Sequence, residues 1–225
     1  MLNSGESRTG GVCAITGTLL LLVGTYLHPS EADPNNPVAA FTEYAADSLW
    51  AISHLTQFTG LALTVAALLL LAHQMELARG WAQIAKGGAI AGLAVATALQ
   101  AVDGIALKVM VDTWAAASTT QKEHVFHAAF AVRQIEIGLA SLLGVLFGFT
   151  VAVYGGMLLV DGTYPRWVGQ LAILGGVSTM VAGIVMAFAG FSQLAMAIAM
   201  SASSLLLMWT LILGVVMWRR GSALE

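Results

Sequence analysis

The chain has 225 residues, 58% hydrophobic and 9% charged, with mean hydropathy +0.83; a soluble domain carries about a quarter charged residues, so a water-soluble globule is excluded. A net charge of −3 leaves no basic stripe to neutralise phosphates, which excludes a nucleic-acid partner and makes the lipid bilayer the expected one. The single cysteine, Cys13, cannot close an internal disulfide.

A helix needs about 20 apolar residues to cross about 30 Å of hydrocarbon, and charge-free runs of that length recur along the chain. The first span is expected at 11–29, ending beside His28; its run is too long for a signal-peptide core. The next stretch, Pro29-Ser-Glu-Ala-Asp-Pro-Asn-Asn-Pro37, is turn-forming. Asn36 as N-cap and Pro37 in the first helical position then predict a short interfacial helix within an outer loop at 29–48. The second span, 49–75, carries His54 one turn inside one end and His73 at the other. The third, 87–108, places Asp103 near its outer end.

The fourth span is expected at 130–160, and a polar lead holding His124, His127, Arg133 and Glu136 stands at its head. Whether that lead lies within the bilayer or beyond it is left open by the sequence. Residues 167–218 are uncharged throughout; as one helix they would run about 78 Å, so they must fold back. A reversal at Ala189-Gly190-Phe191-Ser192-Gln193 gives spans five and six at 166–188 and 193–218. The fold class is therefore all-α, a polytopic transmembrane bundle of six spans forming one domain over 1–225. Paired small residues such as Gly175, Gly176 and Gly183 predict close packing of spans five and six.

Orientation follows the lysines and arginines. Arg8, Arg79, Lys86, Arg166, Arg219 and Arg220 fall on one side, and only Lys108, Lys122 and Arg133 on the other. This predicts a multi-pass protein of the cell (inner) membrane with both termini cytoplasmic. The opposite face gathers Glu31, Asp33, Glu43, Asp47, Asp103, Asp112, Glu123 and Glu136, an acid excess that calls for explanation.

Four of the five histidines, His28, His54, His124 and His127, fall on that same outer side. Ionisable residues inside a membrane are costly and usually face the bundle interior, where they pair or work. His124 and His127, three apart on one helix, can share a ligand; His54 with Gln57 and Gln100 with Asp103 offer polar pairs at comparable depth. These residues predict one transition metal, zinc, copper or iron, held by His54, His124 and His127, with Asp103 near and His28 as a further donor. Arg133 and Glu136, at i, i+3, are expected to form a structural ion pair pointing away from the His127 stripe. The competing reading sets these groups at headgroup level, with Asp103 neutralising Arg133 or Lys108. A single haem between His54 and His127 is a further alternative. Met196 and Met200 read as packing, and Trp50, Trp167 and Trp218 as interfacial anchors.

The run His127-Ala-Ala-Phe-Ala-Val-Arg133-Gln-Ile-Glu136, an Arg-x-x-Glu at the head of a long apolar helix, resembles a feature of uncharacterised bacterial six-helix membrane proteins. The resemblance implies a polytopic helical fold and brings no assigned chemistry. Three functional classes follow from the residues. The first is a metal site acting on a lipid-soluble small molecule through bound water or dioxygen. The second is a proton- or cation-coupled transporter or channel. The third is a structural or assembly subunit without a cofactor.

Overall fold

A computed structural model describes residues 4–75 and 78–223. The chain is all-helical there. Helix α1 (Ser4–Leu27) is followed by the short α2 (Pro37–Ala46), α3 (Trp50–His73) and α4 (Arg79–Gln100). α4 runs through a π-helical segment (Ala101–Leu107) into α5 (Lys108–Ala116), and α6 (Lys122–Asp161), α7 (Arg166–Ala189) and α8 (Gln193–Ala223) follow. Six of these helices, counting Arg79–Ala116 as one, are long and apolar enough to cross a membrane.

The helix boundaries have local causes. The Asn36 side chain accepts a hydrogen bond from Ala39 N at 3.2 Å, and Pro37 opens α2. α6 stops at Gly162, whose φ of +67° only glycine adopts freely. The α7–α8 reversal turns on Gly190, with φ +56°, inside the segment where the sequence places it.

Two helices are longer than their apolar runs predict. α6 has 40 residues, about 60 Å of helix, and the continuous α4–α5 helix has 38. Counting uncharged residues finds only the stretch a bilayer needs, whereas hydrogen bonding and packing carry the helix further. The extension is held by its own small core: Phe41 of α2 and Leu107, Val111 and Trp114 pack with Ala129 and Phe126 of α6. Lys122 donates to the Trp114 and Ala115 carbonyls at the end of α5, supplying the partners that helix end lacks. α2 thus lies against the helical extensions with Ala40 and Phe41 fully buried.

The six long helices pack in a ring in chain order: α1 on α3, α3 on α4, α4 on α6, α6 on α7, α7 on α8, and α8 back on α1. Glycines set the closest approaches. A Cβ on Gly17 would stand 2.7 Å from the Gly60 carbonyl, and one on Gly148 2.5 Å from that of Gly176, so these backbones touch as small-residue helix pairs do. Gly176 and Gly183 face α6 rather than α8, and Gly175 alone of the three meets α8, against Leu206. A larger core of Leu68, Leu71, Tyr154, Leu158, Trp209 and Leu213 fills the end of the ring near the termini. There Ser7 Oγ donates to the Met217 carbonyl and brings α1 and α8 together.

Candidate functional site

At the end of the ring opposite the termini, polar side chains converge beneath the cap made by α2 and the loop before it. α3 begins at Trp50, which is 1% exposed, and one turn later buries His54 at 3%. His54 Nδ1 lies 2.8 Å from the Trp50 carbonyl oxygen. A carbonyl only accepts, so Nδ1 carries the hydrogen and Nε2 is left as the ligating nitrogen. That Nε2 stands 3.0 Å from Asp103 Oδ2. His28, just past the end of α1, repeats the arrangement: its Nδ1 is 2.7 Å from the Pro29 carbonyl, which again frees Nε2. Fixing one ring nitrogen on a backbone carbonyl is the usual way a metal-binding imidazole is oriented.

Asp103 comes from the π-helical segment. Such wide turns recur at functional sites because they displace side chains from regular helical register. Here the segment does two things. It offers the Asp103 carbonyl to Trp50 Nε1 at 3.1 Å, and it sets Gly104 so close to α3 that a Cβ there would lie 2.6 Å from His54 Cβ. The Asp103 carboxylate is unevenly satisfied: Oδ2 faces His54, while Oδ1 is buried with no hydrogen-bond partner among the described residues. A buried, unpaired carboxylate oxygen is expensive.

One donor atom each from His28, His54 and Asp103 lie within 4.8 Å of one another, a group that could hold a metal ion. At metal–ligand bonds of about 2.1 Å, neighbouring donors stand about 3.0–3.4 Å apart. His54 and Asp103 already meet that spacing at 3.0 Å, and the His28 donor lies within 4.8 Å of both. Two imidazoles and one carboxylate are a donor set used by zinc and non-haem iron. The residues present therefore fit a transition metal.

Beside this triad lies a buried ion pair. Arg133 Nη1 is 3.2 Å from Glu136 Oε2 and donates to Tyr44 Oη at 3.1 Å. The guanidinium sits over both the Tyr44 and Phe191 rings, at 5.3 and 4.9 Å. A cavity of about 190 Å³ opens between the triad and the pair, lined by His28, Tyr44, Asp103, Arg133, Glu136 and Met196 among others. The roof is tied down from several sides. Lys108 donates to the Tyr44 and Ala45 carbonyls, Glu43 accepts from the Glu31 and Ala32 amides, and Asn35 donates to the Phe191 carbonyl. Burial, helped by the neighbouring His54, holds His28 below the ordinary histidine range and so favours its neutral form. Burial pushes the Tyr44 phenol above its usual value, and the nearby Arg133 only partly offsets this.

His54, Asp103 and His28 are brought together; His124 and His127 are not. His127 is 68% exposed, with Glu123 at 4.0 Å, and His124 is exposed as well. Their shared stripe faces outward on the α6 extension because Ala129, Arg133 and Glu136 occupy the buried side of that helix. Arg133 and Glu136 do point away from His127, and that direction is toward the site. Trp50 is a buried part of the site, its indole 4.6 Å from the His54 ring and 4.9 Å from that of His28, rather than an interfacial anchor. Its i, i+4 spacing to His54 was the available signal. Tyr44, Phe191 and Met196 come from distant elements, and no local pattern announces them.

No family model matches the chain, and no curated protein or solved structure is significantly similar to it.

Proposed function

We propose that the protein is a multi-pass membrane protein that binds one transition metal, zinc in the first instance, through His28, His54 and Asp103, and presents it to a lipid-soluble small molecule. One observation carries this reading: the buried His54 and the half-buried His28, each with Nδ1 on a backbone carbonyl, converge with the half-buried Asp103, whose Oδ1 is buried without a hydrogen-bond partner among the described residues. Three protein donors leave a coordination position open, as catalytic and ligand-binding metal sites do. Arg133 and Glu136, braced by Tyr44, hold the far wall of the cavity. In this reading the excess of lysine and arginine near the termini supports an inner-membrane orientation with both termini cytoplasmic. The site then faces the cell exterior or periplasm.

The test is elemental analysis and zinc titration of the purified protein, repeated for His54→Ala and His127→Ala. One zinc per chain, lost in His54→Ala and kept in His127→Ala, is the expected result. Equal retention in both variants, or no bound metal after reconstitution with zinc, rejects it.

A further inference from the structure

A second cavity, of about 340 Å³, lies within the ring. All six long helices contribute to its wall, among them Leu21, Leu61, Leu99, Phe147, Ala182 and Leu206. The wall holds no ionisable side chain. Of its hydroxyls, those of Thr64, Thr179 and Thr210 are each spent on the carbonyl one turn back in their own helix, and Thr25 and Ser203 add two more to the wall. To an occupant the chamber is hydrocarbon-like, unsuited to a hydrated ion and suited to an alkyl chain, and its volume is near the lower end of the range that holds small ligands.

The two cavities are stacked. Thr25, Leu99, Ala140 and Ala199 line the chamber, and His28, Asp103, Glu136 and Met196 line the polar cavity. Three of these pairs, Leu99–Asp103, Glu136–Ala140 and Met196–Ala199, are three or four residues apart on one continuous helix, about 4.5–6 Å along its axis, and Thr25 and His28 are three apart across the end of α1. Three helices and the end of α1 therefore run from one cavity wall to the other. From Ala199 to Thr210 the α8 wall of the chamber is about 16 Å deep.

We infer that the ligand is a single-chain amphiphile with a carboxylate head, its alkyl chain in the ring chamber and its head at the metal. This rests on the metal reading above. The polar cavity into which the chamber leads is lined by the Arg133 guanidinium as well as by the metal donors His28 and Asp103, with the Glu136 carboxylate beside it. A carboxylate head is the group that can ligate the ion and accept from a guanidinium at once, so the site favours an anionic head over its neutral ester.

The experiment uses the full chain in nanodiscs of zwitterionic phospholipid, loaded with cobalt(II), whose visible absorption reports its ligands. Decanoate, tetradecanoate, methyl decanoate and butyrate are titrated against the native chain, Ala199→Phe, which fills the chamber, and Leu207→Ala, which enlarges it. Decanoate is expected to shift the cobalt spectrum at a concentration at least tenfold lower in the native chain than in Ala199→Phe. Butyrate should act equally on both, and methyl decanoate on neither. Leu207→Ala should move the preference toward longer acids. Membrane partitioning of decanoate is the same for every variant and cancels in the comparison. Retained cobalt shows that each variant has folded; should Ala199→Phe lose it, Leu207→Ala alone decides. Cobalt bound but decanoate acting equally on all variants overturns the inference and leaves the metal reading standing. Failure to bind cobalt overturns both.

Discussion

His54 and Gly104 illustrate how narrow the tolerances at this site are. Gly104 packs on His54 so closely that a methyl group there would overlap its Cβ, so either the imidazole or the π-helical segment must shift. Gly104→Ala is therefore expected to weaken zinc binding at least about tenfold, the scale seen when the support of a metal ligand is disturbed, while leaving helical content unchanged. Zinc titration alongside circular dichroism checks this, and unchanged affinity would show that the contact is not what positions His54. Trp50→Phe keeps the ring stack and removes the indole donor to the Asp103 carbonyl. A smaller loss of zinc affinity than in Gly104→Ala is expected, read in the same titration.

Among the elements, the head of α6 depends on an ion pair that is 4% and 6% exposed. Removing one member of a buried pair strands the other charge and typically costs about 3–5 kcal/mol, whereas replacing both by apolar residues of similar volume is often neutral. Arg133→Met should accordingly destabilise the protein strongly, and Arg133→Met combined with Glu136→Leu should recover most of the loss, as measured by thermal unfolding in detergent. A double variant no better than the single one would mean that Arg133 matters through Tyr44 and the Pro34 carbonyl instead. The loop between α6 and α7 supplies a pH-dependent case. Tyr164 is buried with the Arg220 guanidinium 5.2 Å away, and burial raises its phenol above the usual value, with Arg220 opposing. Unfolding exposes a phenol that ionises at about pH 10. Below that pH both states hold the proton and Tyr164 adds no pH dependence. Above it the unfolded chain releases the proton first, so stability falls as pH rises toward the folded value. Tyr164→Phe should flatten the alkaline limb of a stability–pH curve, and an unchanged limb would assign that loss to other groups.

For the whole molecule, the consequence of the ring is a division of labour along its axis. Close glycine contacts recur along its whole length, the larger core fills the end near the termini, the middle keeps an apolar chamber, and the capped end holds the histidine–carboxylate group and the buried ion pair. Reporter fusions at residue 223 and in the 29–36 loop are expected to be active in opposite compartments, with the loop outside; the loop inside with residue 223 outside would reverse the proposed topology, and activity of both on one side would refute it.

Length, apolarity and charge-free runs by themselves determined that the chain is helical and has six segments able to cross a membrane, because a bilayer imposes a fixed length and no backbone but a self-satisfied one. They also determined the Asn36–Pro37 start of α2 and the reversal at Gly190, which are local capping and turn effects. Helical spacing already separated His127 from the Arg133–Glu136 face. Which face looks inward is decided by packing, and packing depends on elements far apart in sequence. So only the tertiary structure turned His124 and His127 outward, drew His28 to His54 across the start of α3, and set Asp103 beside them through a change of helical pitch that no sequence period reveals. It also placed Phe191 and Met196 beside Arg133. The donors in the sequence were visible as residue types, but their convergence belongs to the ring.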